Sequence, residues 1–116
     1  MKFAIIGSRN LIIKDFNPYL PKEVTEIVSG GAQGIDTCAE KYAKANSIKF
    51  TEFLPEYEKY GRAAPILRNQ QIIDYADAVL VFWDGESRGT KNVIDSCKKK
   101  NKRIIILKIN KQESGP

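Results

Sequence analysis

Histidine is absent from the 116 residues. With it go imidazole general bases, Ser-His-Asp and Cys-His arrangements, and most zinc sites. Any catalysis by this chain must rest on carboxylates, hydroxyls, lysine or tyrosine. Cysteine is scarce as well, with Cys38 and Cys97 the only two. Both fall at apolar-side positions of helical patterns, so two reduced, buried thiols are expected rather than a disulfide or a metal site. No apolar run approaches the roughly 18 residues of a membrane span, and no membrane partner is expected. The opening Met1-Lys2-Phe3-Ala4-Ile5-Ile6-Gly7 is too short in its apolar part for a signal peptide and reads as a first strand; a cytoplasmic protein is the expectation. Two nucleotide motifs are missing too. Gly89-Thr90-Lys91 has the wrong order and spacing for a P-loop, and no full GxGxxG fingerprint follows a strand, so hydride transfer with a dinucleotide is not expected. No cofactor and no metal are expected.

What is present is an ordinary globular composition, 42% apolar and 28% charged, in a length that suits one domain. Nineteen basic against fourteen acidic residues leave a net charge of +5. That excess is local. Lys98, Lys99, Lys100, Lys102 and Arg103 supply five positive charges within six residues, and the rest of the chain is neutral. The run closes a predicted helix, where cations favour the negative end of the helix dipole. This reading is preferred to a nucleic-acid patch, and nucleic acid is not expected as a partner.

Taken in order, strand and helix alternate. Strands are predicted over Lys2 to Ile6, Val24 to Val28, Ile48 to Phe53, Asp77 to Trp83 and Arg103 to Ile109. The connection containing Pro18 and Pro21 has room only for a short helix. A helix from about Gly34 to Asn46 gathers Ile35, Cys38, Ala39, Tyr42 and Ala43 on one face. Pro65 opens a second helix running to about Tyr75. A third follows the loop Asp84 to Gly89 and ends near Asn101. The mixed third strand suits a sheet edge, and AVLVFW in the fourth, apolar on both faces, suits the centre. These features predict an α/β, Rossmann-like single domain over residues 1–110, with a polar, disordered tail at 111–116. Right-handed crossovers give a five-stranded parallel sheet of order 3-2-1-4-5 with helices on both faces.

In such a sheet, ligands bind beyond the strand C-termini where the strand order reverses. Three loops converge there: Gly7-Ser8-Arg9 after the first strand, Ser29-Gly30-Gly31-Ala32-Gln33-Gly34-Ile35-Asp36 after the second, and Asp84-Gly85-Glu86-Ser87-Arg88-Gly89-Thr90 after the fourth. Glycines allow a ligand close to the backbone, and helix N-termini behind the turns offer N–H groups to an anion. Arg68 and Asn69 also stand out. With Ile66, Leu67 and Ile73 taken as the apolar side of their helix, the arginine is expected on the other side. A cation in a first helical turn opposes the dipole, which makes sense beside an anion. The alternative is a solvated arginine paired with Asp74 or Glu58. Arg9 and Arg62 are lesser candidates of the same kind.

These segments, with YGRAAPILRNQQI and ADAVLVFWDGESRGTKNVI, together resemble the SLOG superfamily, and its YspA-like branch above all, over roughly residues 2 to 109. The glycine turn alone is similar to the DNA-processing protein DprA, and the stretch from Arg68 to Thr90 to the LOG phosphoribohydrolases. The resemblance implies a nucleotide-binding, often dimeric domain whose ligand is a nucleotide or ribose-phosphate derivative. Ligand contacts are then expected from Gly7, Ser8, Arg9, Ser29, Gly30, Gly31, Ala32, Gly34, Asp36, Arg68, Asn69, Asp84, Gly85, Ser87, Gly89 and Thr90. The LOG enzymes carry PGGxGTxxE. Here Gly89, Thr90 and Arg68 are retained, but Val93 stands at the glutamate position and cannot move a proton. Hydrolysis of an N-glycosidic bond would need Asp84, Glu86 or Asp36 in its place. The expected function is therefore binding of the small molecule, as a sensor or sequestering module. Glycosidic cleavage or transfer is the alternative, and DprA-like single-strand DNA binding a weaker one.

Overall fold

A computed structural model of the chain describes residues 1–31 and 33–109. Ala32 and the tail 111–116, expected to be disordered, lie outside the described residues. Five strands form one parallel sheet: β1 (Lys2–Gly7), β2 (Glu26–Ser29), β3 (Lys49–Glu52), β4 (Ala78–Trp83) and β5 (Arg103–Lys108). Their order is β3-β2-β1-β4-β5. β1 pairs with β2 and β4, Phe3 lying opposite Ile27 on one side and Ala78 on the other. The architecture is the predicted α/β, Rossmann-like one.

Alternation along the strands sends odd and even residues to opposite faces, and each face has its own apolar layer. Phe3, Ile5, Ile27, Leu80 and Phe82 pack against Leu11 and Phe16 of the first connection and against α1 (Ile35–Ala45), through Ile35, Ala39, Tyr42 and Ala43. Ala4, Ile6, Val28, Val79 and Val81 pack on the other face against α3 (Ala64–Tyr75) and α4 (Arg88–Lys99), through Ile72, Ile73, Val93, Ile94 and Cys97. Each fully buried Leu, Ile or Phe contributes about 1.5–3 kcal/mol of transfer free energy. The first connection holds only a 3-10 turn, Asn17–Tyr19, as its prolines require. A single helical turn, α2 (Tyr57–Tyr60), precedes α3.

The N-terminal ends of the strands form a polar pole. Glu26, 7% exposed within β2, accepts hydrogen bonds from Thr51 Oγ1 at 2.6 Å and Tyr75 OH at 2.5 Å, with Lys49 Nζ at 3.6 Å. Burial pushes its carboxyl up, but those hydroxyls and the Lys49 and Lys2 cations outweigh it and hold the pKa below the usual value. The basic run lies at this same pole, because α4 ends at Lys99 and Arg103 opens β5 opposite Ala78. Lys100 pairs with Asp74 at 2.9 Å, and Lys102 Nζ donates to the Ala76 carbonyl at 2.7 Å.

Two expectations about side-chain direction are corrected. Ile66 and Leu67 are 51% and 37% exposed, while Ala64, Asn69, Ile72 and Ile73 form the buried side of α3. The helix is rotated so that Arg68 and Asn69 face the end of the sheet, not solvent. Cys97 is buried and Cys38 only partly so, both as free thiols.

Candidate functional site

At the opposite pole, β1 and β4 lie side by side while their chains leave toward opposite edges of the sheet. A cavity of about 420 Å³ opens there. The loop after β1 is tied to the loop after β4: Ser8 N–H donates to the Phe82 carbonyl at 3.0 Å, and Ser8 Oγ accepts from Asp84 N–H at 3.2 Å. Ser8 is thereby buried, and Gly7, Arg9 and Asn10 line the cavity around it.

The loop after β2 is held through Gly30. Its N–H donates to Asp36 Oδ2 at 3.2 Å, and its carbonyl accepts from Arg68 Nη1 at 2.6 Å. Only glycine permits this approach, because a Cβ on Gly30 would lie 2.5 Å from that Nη1. Gly34 precedes α1 at φ +75, where a Cβ would lie 2.5 Å from the Arg9 carbonyl oxygen. That closeness brings the first and second loops together and starts α1, with Asp36 in its first turn at 6% exposure. A carboxylate suits that end of a helix.

Arg68 reaches the cavity from α3, its Nε–H bonded to Asn69 Oδ1 at 3.0 Å. Half-burial pulls its pKa down; Asp36 and Tyr57 oppose that, and Arg9 adds to it. From the β4 side, Asp84 Oδ1 accepts from the N–H groups of Glu86 and Ser87, both at 2.8 Å. The Ser87 N–H holds the Asp84 carboxyl below the usual range, helped by Glu86 N–H, Ser8 and Asn10 against some desolvation. Ser87 then stands at the residue before α4, its Oγ turned to the Thr90 hydroxyl, 3.2 Å from Thr90 Oγ1, and not to a helix N–H. Ser87, Gly89 and Thr90 line the cavity at the end of α4 whose N–H groups lack helical acceptors.

Two guanidiniums, two carboxylates, hydroxyls and a helix N-terminus thus surround one volume. Such a set can hold an anion and accept hydrogen bonds from hydroxyls. Among the described residues, no group of three or more His, Cys, Asp or Glu is placed to hold a metal ion. No helix of those residues is long and apolar enough to cross a membrane.

Comparison of the chain with family models, curated proteins and solved structures finds no match.

Of the residues expected to meet a ligand, Gly7, Arg9, Gly30, Asp36, Arg68, Asn69, Asp84, Ser87, Gly89 and Thr90 line the cavity. Ser8 and Ser29 are buried and serve the frame, Ser29 Oγ donating to the Ile5 carbonyl at 3.3 Å. Gly31 is exposed and packs toward Leu54, and Gly85, at φ +85, packs toward Lys108. Gly34 shapes the backbone behind the lining. Ala32 lies outside the described residues. Glu86 and Arg62 are exposed and outside the lining, and Asp74 pairs with Lys100, not with Arg68. Val93, at the LOG glutamate position, does face the cavity, as a buried apolar wall. Asn10 and Pro65 also line it and were missed. Asn10 directly follows the quoted Gly7-Ser8-Arg9, and Pro65 stands one helical turn before Arg68, so proximity in sequence was the available signal.

Proposed function

We propose that the crevice binds a nucleotide or ribose-phosphate-derived small molecule, and that the chain serves as a sensor or sequestering module for it. The observation that carries this reading is the meeting of Arg68, Asp36 and the first turn of α4 in one cavity at the point where the strand order reverses. Arg68 and the α4 N–H groups suit a phosphate. Asp36 and Asp84 suit the hydroxyls of a pentose as acceptors. The SLOG resemblance supports the same ligand class, and a homodimer is proposed with it.

Denaturing the purified protein and analysing the released small molecules by mass spectrometry should yield a phosphorylated nucleoside or pentose in near-stoichiometric amount. A protein that releases none, and gives no heat with AMP or ribose 5-phosphate in calorimetry, ends this reading.

A second reading, cleavage of an N-glycosidic bond, is favoured by the buried Asp36 carboxylate in the same cavity as Arg68. Val93 weighs against it, offering no proton or charge at the position where the LOG enzymes hold glutamate. Incubation with AMP separates the two: intact nucleotide fits binding, and free adenine at turnover rates fits cleavage.

A further inference from the structure

We infer that Asn69 donates its side-chain amide to the phosphate of the ligand, as a specificity-determining partner of Arg68; this rests on the nucleotide reading above. Ala64, Asn69, Ile72 and Ile73 form the buried side of α3, and Asn69 is the polar one among them. It stands in the middle of the helix, where asparagine is a poor helix former and caps nothing. An apolar residue there would pack without taking an amide out of water. The amide is only half engaged. Its Oδ1 accepts the Arg68 Nε–H at 3.0 Å, and because Nε can only donate, the oxygen must face it and the NH2 must face away. Among the described residues no acceptor meets that Nδ2. Asn69 is 7% exposed and lines the crevice, so the free donor opens onto that cavity.

The donor lies where an anion would be held. Nδ2 and Oδ1 share one carbon, so Nδ2 stands a single amide group away from the guanidinium. Asn69 Oδ1 and the Gly30 carbonyl engage two of the Arg68 N–H groups, and the others are left for a ligand. Gly89 and Thr90 bring the first turn of α4 to the same cavity, with N–H groups that lack helical acceptors. The complement of such a set is an oxygen that carries no proton. A phosphate has several, and can meet the guanidinium with one and the amide with another. Because Arg68 holds the amide by its oxygen, Asn69 needs no reordering to bind and cannot turn that oxygen to the ligand. It therefore selects a ligand that brings an acceptor to this point and disfavours one that brings a donor.

The test is titration of the full chain with ribose 5-phosphate, followed by NMR of its amide groups, which reads even millimolar affinities. On saturation the side-chain NH2 pair of Asn69 should move downfield, and unphosphorylated ribose should leave it in place. Asn69→Ala should weaken ribose 5-phosphate on the order of ten-fold, the scale of one charge-assisted bond, and should do so again in an Arg68→Ala background. That second comparison separates donation from the mere holding of Arg68, which has nothing left to act on once the guanidinium is gone. The inference is overturned if ribose 5-phosphate binds and the NH2 pair stays put, or if ribose moves the pair as far. It is overturned as well if Asn69→Ala costs nothing in the Arg68→Ala background. In these cases the crevice reading stands. Should Asn69→Ala not fold, the NH2 pair of wild type decides alone. If neither ribose 5-phosphate nor AMP shifts any resonance of wild type, both readings fall.

Discussion

Arg68 is oriented by the fold: Gly30 and Asn69 engage two of its donors, so the plane of the guanidinium is set by protein contacts. Pre-organisation of that kind reduces the ordering cost of binding. Arg68→Ala should weaken AMP binding by about 10- to 100-fold, the loss of a charge-assisted bond of roughly 1.5–3 kcal/mol. It should also lower stability by about 1 kcal/mol, because the Gly30 carbonyl loses its donor. Arg68→Lys should recover only part of the binding, lacking the planar fork. Unchanged affinity in calorimetry would leave the arginine a purely structural part. Cys97 offers a second test. Burial pushes its thiol from the ordinary 9.0 up to about 11, against the opposing pull of Lys102 and Lys100. The folded value is the higher, so the stabilisation from a protonated thiol is whole below pH 9.0 and is lost as pH rises toward about 11. Across that window, denaturant unfolding should show wild type losing more stability than Cys97→Ala. At this scale the sequence was legible by oddity and not by direction. A cation at a helix start marked Arg68, but exposed Ile66 and Leu67 imitated a buried stripe and turned the helix the wrong way. Asp36 and Glu26 sit among buried residues because specific N–H and O–H donors meet them, and such pairings leave no periodic trace.

The elements themselves were plain, because burial on one or both faces writes a period into the residues. All five strands and the three long helices were foreseen, and with right-handed crossovers so was the strand order. Boundaries moved by one or two residues: β2 begins at Glu26 rather than Val24, and α4 at Arg88, inside the predicted loop. Short turns such as α2 bury nothing and therefore carry no pattern. The loop that leads into α4 is held by Asp84, whose carboxylate gathers the N–H groups of Glu86 and Ser87. Asp84→Ala should cost about 1 kcal/mol of stability, as loss of a hydrogen-bond acceptor for two loop N–H groups does. Since the folded pKa is lowered, that contribution is present above the ordinary 3.8 and disappears as pH falls through the folded value. The gap between the melting curves of wild type and Asp84→Ala should therefore close in acid, and a gap independent of pH would contradict the assignment.

Across the whole molecule, the crevice and the basic run occupy opposite poles, separated by the length of β4. Its six residues make five steps of about 3.3 Å, roughly 17 Å from end to end. Lys98→Ala and Lys99→Ala should accordingly leave AMP affinity unchanged in physiological buffer, and wild type should bind single-stranded oligonucleotides only weakly there. Sub-micromolar oligonucleotide binding would show that the far pole has a partner of its own. The separation has an electrical consequence. At 0.15 M ionic strength the screening length is about 8 Å, shorter than the gap, whereas at 0.01 M it is about 30 Å, longer than the gap. In dilute buffer the distant lysines should add their attraction to any anion held in the crevice, and the two lysine variants should then bind AMP more weakly than wild type. In salted buffer the difference should vanish, leaving an affinity set by the charges of the crevice alone.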